Sequence, residues 1–422
     1  MVADESGARH SPLTEEASSD DGATTPRIPE AEEGGGLTRR RFLRGLGFGA
    51  GAVVVVGAGA LTWRAVDQGV FSTGEGAAYD AWDVWRSGNG LIALVRPAIL
   101  AANAHNSQPW LFELGTDRID LFADTGRSMG TMDALRREMI VSLGCALENL
   151  VLAARANGLD PTVTLLPDPA DETHVAAVDL SSGPRDVSEL FLAIPDRHTD
   201  RSAYDTTRPV EASTLERLAA TADEDDVGID WLTDPAERSS FGDLTVRATE
   251  AIVADDQQAA DDYAWYRFDW DEIQAKKDGI TFDASGASPL LRAVVKLLPT
   301  PSIETAGEGW VTATRDRHVA TAAAYGLVTA TDRGDDRQRM LAGRLYQRLH
   351  LTATTLGLSM QPLAQVVERA DRELSAGLEP EFTVALTRLA SSRQVVLPFR
   401  VGYPTTEAEP SPRRPAELVL HP

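Results

Sequence analysis

The stretch "LENLVLAARANGLDP" (147–161) is the end of a predicted helix, and the same kind of ending recurs 199 positions later. Apolar residues spaced three or four apart predict a helix over about 133–157, with one apolar face formed by Met139, Leu143, Ala146, Leu147, Leu150 and Ala154. Asn157 and Gly158 are typical of a helix C-terminus, and Pro161 cannot continue the helix. The segment 335–356, which stops at Gly357, has a similar apolar face.

These two helix endings indicate an internal duplication. A shift of 199 positions superposes Leu150 on Leu349, Ala154 on Ala353, Gly158 on Gly357 and Leu159 on Leu358. The alternative is that any two amphipathic helices ending in Gly-Leu can be aligned in this way. The polar cluster "SSGPRD" (181–186) suits a boundary, so the predicted halves are 78–185 and 188–422. The second half contains an unrepeated insertion at about 256–318.

Strand signals lie next to these helices. A helical pattern covers 84–102, and the runs "QPWLFEL" (108–114) and "RIDLFAD" (118–124) predict two short strands joined by a turn at 115–116. Helices and hairpin strands in one chain predict an α+β fold.

The insertion contains the aromatic run "DYAWYRFDWDE" (262–272). Such a run suits a lid over a flat ligand. Packing of an additional helical layer explains it equally well.

The composition excludes several classes of function. The chain has 422 residues and a net charge of −24, so it repels nucleic acid, and an internal anion requires a local group of arginines. One cysteine, Cys145, excludes an intramolecular disulfide, and we expect it to be a buried apolar residue. The seven histidines lack metal-ligand spacing and no Gly-x-Ser-x-Gly motif occurs, so we expect neither a metal site nor a hydrolase of that type.

The N-terminus resembles an export signal. Residues 1–36 are acidic and rich in Ser, Gly and Pro, which predicts disorder. Within 37–63, Arg39 and Arg40 precede a Gly-rich apolar run, as in a twin-arginine signal read by the twin-arginine translocase. The signal predicts a location at the outer face of the cytoplasmic membrane, in the periplasm or outside the cell. If it is a signal, either cleavage near 58–60 or retention as an anchor follows; the remaining alternative is a chance basic and apolar stretch in a cytoplasmic protein.

Three polar stretches are candidate binding segments. The amides of "AANAHNSQPW" (101–110) suit a ring edge with alternating C=O and N–H groups, although they could also cap a helix. In "PDRHTDRSAYD" (195–205), two arginines flank a threonine, which suits a phosphate dianion as well as salt bridges to the nearby aspartates. The arginine pair in "PSPRRPAELV" (410–419) either binds the same anion or forms a solvated turn.

Together these motifs resemble the nitroreductase-like FMN flavoprotein superfamily, and more narrowly its exported, internally duplicated members related to the Acg family. The matching segments are "NSQPW" (106–110), "RHTDR" (197–201), "GLSMQP" (357–362) and "RRP" (413–415). The resemblance implies these FMN-binding residues: Asn106, Ser107, Gln108, Arg197, His198, Thr199, Arg201, Pro362, Leu363, Ala364, Gln365, Arg413 and Arg414. The chain departs from the pattern at 103–105, where a Ser-rich run is usual, and at Gln365, where many members have glycine.

The resemblance also implies architecture and activity. Family FMN sites form across a dimer, and here each half has only part of the motif set, so one chain is expected to act as a monomeric pseudo-dimer with one FMN. The implied activity passes electrons from a reduced donor such as NAD(P)H to a nitroaromatic, quinone or similar acceptor. Because FMN supplies the reactive chemistry, no catalytic side chain is assigned. The alternative is a protein that holds FMN without turnover. Loading FMN in the cytoplasm agrees with export of a folded protein.

Overall fold

Two four-stranded antiparallel sheets and two long helices organise the chain in the computed structural model. The structure describes residues 64–390 and 392–421, all within the compact unit Thr38–Pro422. The predicted segments 1–36 and 37–63 lie outside the described residues.

The first half consists of one sheet and its helices. The helices are α1 (Asp80–Asp83), α2 (Ile92–Ala98) and α3 (Arg137–Ala156), and the short helix α4 (Glu189–Leu192) opens the predicted second half. The strands are β1 (Trp110–Leu114), β2 (Arg118–Ala123), β3 (Leu159–Leu165) and β4 (His174–Ser182), in the order β1-β2-β4-β3. The predicted hairpin is confirmed, because β1 pairs with β2 and the Gly115 N–H donates to Arg118 O at 2.8 Å.

The predicted helix over 84–102 is wrong in its first part. Regular helix begins only at Ile92. Gly88 and Gly90 have φ values of +91° and +68°, which an α-helix does not allow, so the "SGNG" sequence forms a turn. Apolar residues occur at helical spacing on both sides of this turn, so their periodicity alone predicted a continuous helix.

The second half has the same strand order as the first half. After α4 it contains α5 (Ala212–Ala219), β5 (Val227–Leu232) and α6 (Pro235–Ala254). The region of the predicted insertion, 256–318, contains α7 (Asp256–Tyr263), β6 (Tyr266–Arg267), α8 (Trp270–Lys276), β7 (Ile280–Thr281), α9 (Pro289–Lys296) and α10 (Ile303–Ala313), and the π-helical turn Thr314–Val319 lies at its end. Then follow β8 (Ala324–Ala330), α11 (Asp336–Thr355), β9 (Ser359–Pro362), α12 (Gln365–Ala376), α13 (Glu381–Leu386) and β10 (Gln394–Gly402). The sheet order is β5-β8-β10-β9.

The aromatic run of the insertion packs largely upon itself. The Tyr263 ring lies 5.6 Å from that of Phe268, and Tyr266 stacks on Phe268 at 5.8 Å. The Tyr263 hydroxyl donates to Pro301 O at 2.6 Å. These contacts agree with packing of an additional layer.

Helices α3 and α11 cross closely at two glycines. A Cβ on Gly144 would collide with the carbonyl oxygen of Met340, and one on Gly343 with that of Val141. Only glycine permits this approach of the two backbones. Cys145 is buried beside the crossing, where its Sγ donates to Gly343 O at 3.2 Å, and burial raises its pKa to about 12. The prediction that Cys145 is a buried core residue is confirmed.

Helix α3 forms the centre of the main hydrophobic core. Among the described residues it is the one helix long and apolar enough to cross a membrane, but it is enclosed by the protein, as expected of a core helix.

Candidate functional site

A cleft of about 320 Å³, which includes space open to solvent, brings together four separate segments of the sequence. We call it the arginine cleft. Its lining residues are Trp82, Ala102, Asn103, Asn106, Arg197, His198, Thr199, Arg201, Ser411 and Arg413. Each of the three polar stretches identified in the sequence contributes to this lining.

Arg197 and Arg413 are almost completely buried in this cleft, with 1% and 4% of their surface exposed. Arg197 donates from Nη2 to Leu100 O at 2.9 Å. Arg413 donates to the Asn106 side-chain oxygen and, at 3.0 Å, to Pro412 O. Within the described chain, neither guanidinium forms an ion pair with a carboxylate, and the Nε atom of each lacks a hydrogen-bond partner.

Arg201 adds a third positive charge. Its Nη1 donates to Ala284 O at 3.2 Å, and it too has no carboxylate partner among the residues that the structure describes. The flanking Asp200 instead accepts from the Ser202 N–H at 2.8 Å. The alternative reading of this motif as salt bridges to nearby aspartates is therefore wrong for both arginines.

The electrostatics of the arginine cleft favour an anion. Burial lowers the pKa of Arg197 and Arg201, and burial together with Arg197 lowers the pKa of Arg413 strongly. Guanidinium groups keep their proton at physiological pH, so these charges cannot be removed by deprotonation. Buried charges without counter-charge are costly, and a bound dianion such as a phosphate would offset that cost.

An indole and a neutral imidazole complete the cleft. Burial, Arg197 and Arg413 lower the pKa of His198 to about 3, so its ring is uncharged at neutral pH. The Trp82 ring lies 4.6 Å from the His198 ring and 5.0 Å from the Arg413 guanidinium carbon. Trp82 is held by a 2.8 Å hydrogen bond from Nε1 to Ser411 O. Trp82 lies before the helical pattern predicted over 84–102, so the sequence did not identify it as a site residue.

The backbone around Asn106 is strained. His105, Asn106 and Gln108 have φ values of 49°, 54° and 52°, a region that non-glycine residues rarely adopt. The Asn103 side-chain oxygen accepts from the Gln108 N–H at 2.8 Å and holds this conformation. Strain of this kind is concentrated at functional sites.

The side-chain amides of Asn106 and Gln108 are bonded to protein backbone rather than directed into an open ring site. Asn106 Nδ2 donates to Gly279 O at 3.2 Å and Pro412 O at 2.8 Å. Gln108 Nε2 donates to Lys277 O at 2.8 Å. Their role in holding a ring edge stays a prediction.

Ser107 and Arg414 do not line the cleft. The Ser107 carbonyl accepts from Arg127 Nε, and the Arg414 guanidinium donates to Gln108 O at 2.6 Å. The Arg414 N–H also donates to the Gln108 side-chain oxygen at 2.8 Å. Arg414 therefore anchors the segment that carries Arg413, while its own charge lies outside the cleft lining.

Residues 362–365 lie at the end of β9 and the start of α12, and they do not line the cleft. β9 runs beside the arginine motif, because Thr199 bridges to Met360 and the Asp200 N–H donates to Met360 O at 3.2 Å. The Leu363 N–H donates to Pro398 O at 2.9 Å and is already used. The Gln365 side-chain oxygen is buried without a partner. The predicted flavin contacts of Pro362, Leu363, Ala364 and Gln365 stay predictions.

No family model matches the chain. A Mycobacterium tuberculosis protein with the name "Putative NAD(P)H nitroreductase" is 27% identical over 320 residues, which cover 75% of this chain and 86% of that protein. The same organism's "Putative NAD(P)H nitroreductase acg" is 26% identical over 356 residues, with coverage of 78% and 94%.

Among solved structures, a nitroreductase with bound FMN from Bacteroides fragilis is 14% identical and covers 51% of this chain and 88% of its own. Its TM-score of 0.29 is too low to establish a shared fold. The likeness to known proteins therefore rests on the sequence relatives, and it makes the chain similar to proteins that carry nitroreductase names.

Proposed function

We propose that this chain binds FMN in the arginine cleft and passes electrons from a reduced donor such as NAD(P)H to a nitroaromatic, quinone or similar acceptor. The observation that carries the proposal is the group of guanidiniums without carboxylate partners at Arg197, Arg201 and Arg413, of which Arg197 and Arg413 are almost completely buried. The nitroreductase names of the sequence relatives supply the redox part.

The cleft residues would hold the FMN phosphate. Arg197 and Arg413 have unused Nε donors, and Thr199 adds a hydroxyl to the lining. FMN itself supplies the electron-transfer chemistry when it is bound. The task of the chain is then to hold the phosphate, orient the ring and limit water around it.

A second candidate function, FMN binding without turnover, is favoured by the contacts of the insertion. The backbone of Lys277 and Gly279 already occupies the amides of Asn106 and Gln108. If the insertion covers the ring in the FMN complex, an acceptor cannot reach it.

The proposal includes two fused copies that form a monomeric pseudo-dimer. Each sheet has the same chain-order pattern, in which the fourth strand lies between the second and the third. Helix α3 follows the second strand of the first sheet and α11 follows the second strand of the other sheet. Gly144 and Gly343, which meet where these two helices cross, are 199 positions apart. This is the shift that aligns the two helix endings.

We also propose export through the twin-arginine translocase to the outer face of the cytoplasmic membrane, the periplasm or the medium. Support comes from the sequence of residues 37–63, which lie outside the described residues. Cofactor loading before export gives a physical reason for a route that carries folded proteins.

An absorption spectrum of the purified full-length protein, with and without NADPH under argon, tests the function. An oxidoreductase should show a flavin spectrum that NADPH bleaches within seconds. A flavin spectrum that does not bleach over an hour would favour the second candidate. A colourless protein that does not quench the fluorescence of added FMN would contradict both.

A double variant relates the spectrum to the cleft. Arg197→Gln with Arg413→Gln removes both buried charges and should be isolated without flavin. Arg155→Gln is the matched control, because Arg155 is exposed at the end of α3, and it should keep the flavin.

A further inference from the structure

The buried imidazole of His350 contacts Arg197 but is not part of the arginine cleft lining. His350 lies on α11 with 1% of its surface exposed. Its Nδ1 is 3.3 Å from Arg197 Nη1, and its Nε2 is 3.2 Å from His198 O. One imidazole therefore contacts both the guanidinium and the backbone of the arginine motif.

The hydrogen bonds define which nitrogen carries the proton. A backbone carbonyl can only accept, so Nε2 must donate to His198 O. In a neutral imidazole, Nδ1 is then an acceptor, which suits the Arg197 N–H. Burial and the charge of Arg197 lower the pKa of His350 well below its usual value, so the ring stays neutral.

A neutral acceptor orients a guanidinium without cancelling its charge. Arg197 is fixed by two uncharged groups, His350 Nδ1 and Leu100 O, and its unpartnered Nε retains a free donor. A carboxylate in place of His350 would hold the guanidinium equally well, but it would compete with an incoming anion.

The position of His350 also distinguishes the two halves. On the shift of 199 positions, His350 aligns with Val151, an ordinary apolar core residue. The first half lacks the Arg-x-Thr-x-Arg motif. The imidazole therefore occurs in the half that carries the arginine pair.

We propose that His350 is a positioning residue that orients Arg197 for the phosphate of the bound ligand. This inference rests on the proposed binding of FMN. It adds a residue that contacts the arginine motif from outside the cleft lining.

Two variants of the full-length protein, freed of flavin and titrated with FMN and with riboflavin, test the proposal. His350→Leu keeps the volume but removes both hydrogen-bonding groups. It should weaken FMN binding by about 10- to 100-fold while riboflavin affinity changes less than about threefold. His350→Gln can accept from Arg197 and donate to His198 O, so it should keep the FMN affinity of the unchanged protein within about threefold.

The ratio of FMN to riboflavin affinity separates positioning from packing. Equal losses for both flavins in His350→Leu, equal losses in both variants, or an unchanged FMN affinity would each overturn the positioning role. If the unchanged protein binds FMN no better than riboflavin, the phosphate-binding function itself is wrong and the inference falls with it. A thermal melt of each variant checks that its fold is intact.

Discussion

Two clusters of buried charge in this protein are built in opposite ways. The first, which we call the junction cluster, lies between α3 and α12 and contains Asp133, Arg137, Glu138, Glu368 and Asp371. Its arginine is fully paired: Arg137 donates to Asp371 at 2.8 Å and to Glu138 at 3.1 Å. The second is the arginine cleft, where no carboxylate among the described residues pairs with Arg197, Arg201 or Arg413.

The excess charge is neutralised in a different way in each cluster. Carboxylates outnumber guanidiniums in the junction cluster, and protons can neutralise the excess: burial raises the pKa of Asp133 to about 6 and that of Glu368 well above its usual value. Arginines outnumber carboxylates in the cleft, and they cannot lose their protons. The junction cluster can therefore balance its charge with its own groups and bound protons, whereas the cleft requires an anion from outside the protein.

The largest expected effect comes from the paired arginine. Arg137→Met would leave Glu138 buried without its counter-charge and Asp371 with Arg333 alone, so the free energy of unfolding should fall by about 3–5 kcal/mol in a urea titration. Arg155→Met, at an exposed position, should change it by less than about 0.5 kcal/mol. A loss below about 1 kcal/mol for Arg137→Met would contradict the structural role.

The matching change in the cleft should affect ligand binding rather than folding. Arg197→Met removes a charge that repels Arg413, so the free energy of unfolding without ligand should change by less than about 1 kcal/mol. FMN affinity should fall about 10- to 100-fold, because hydrogen bonds to charged groups contribute roughly 1.5–3 kcal/mol. Destabilisation as large as that of Arg137→Met would erase the distinction between the two clusters.

The pH dependence of stability provides a smaller test. Folded His198 stays neutral down to a pKa of about 3, whereas the unfolded residue binds a proton below about pH 6.5. The unfolded state thus binds more protons between these values, and stability falls as the pH is lowered through this window, by up to about 1.4 kcal/mol per pH unit. Urea titrations of His198→Gln at pH 7, 6 and 5 should show a shallower fall. Slopes identical to those of the unchanged protein would contradict a His198 ring that stays neutral in the folded state.

In the junction cluster, Glu368 should lower the stability of the fold as the pH rises. The raised pKa of Glu368 means that the folded state holds a proton that the unfolded state releases above about pH 4.5, so this group destabilises the fold as the pH rises. Glu368→Gln, which resembles the protonated form, should raise the free energy of unfolding at pH 8 more than at pH 5. A variant that is less stable at both pH values would show that Glu368 acts as a carboxylate.

The arginine cleft could be predicted only in part from the sequence. Arg197, Arg201 and Arg413 lie in segments without apolar periodicity, which indicates a role outside the core. The sequence also offers nearby aspartates as partners for Arg197 and Arg201, and only the structure shows that no described carboxylate pairs with them. The long helices could also be predicted closely, since 133–157 and 335–356 correspond to Arg137–Ala156 and Asp336–Thr355.

Other features depend on contacts that the sequence does not encode locally. His350 lies within an apolar helical pattern that resembles ordinary core, and only its three-dimensional neighbours distinguish it. The bonds of Asn106 and Gln108 to 277–279 depend on how the insertion folds back across the first half. Periodicity and motif spacing along the sequence do not predict such non-local contacts.

The most direct test of the central claim is a crystal structure of the full-length protein with FMN. The account predicts the phosphate within hydrogen-bonding distance of the Arg197 and Arg413 guanidiniums, with the ring extending towards Asn106. FMN bound elsewhere, with these two guanidiniums still facing each other without an anion, would contradict it.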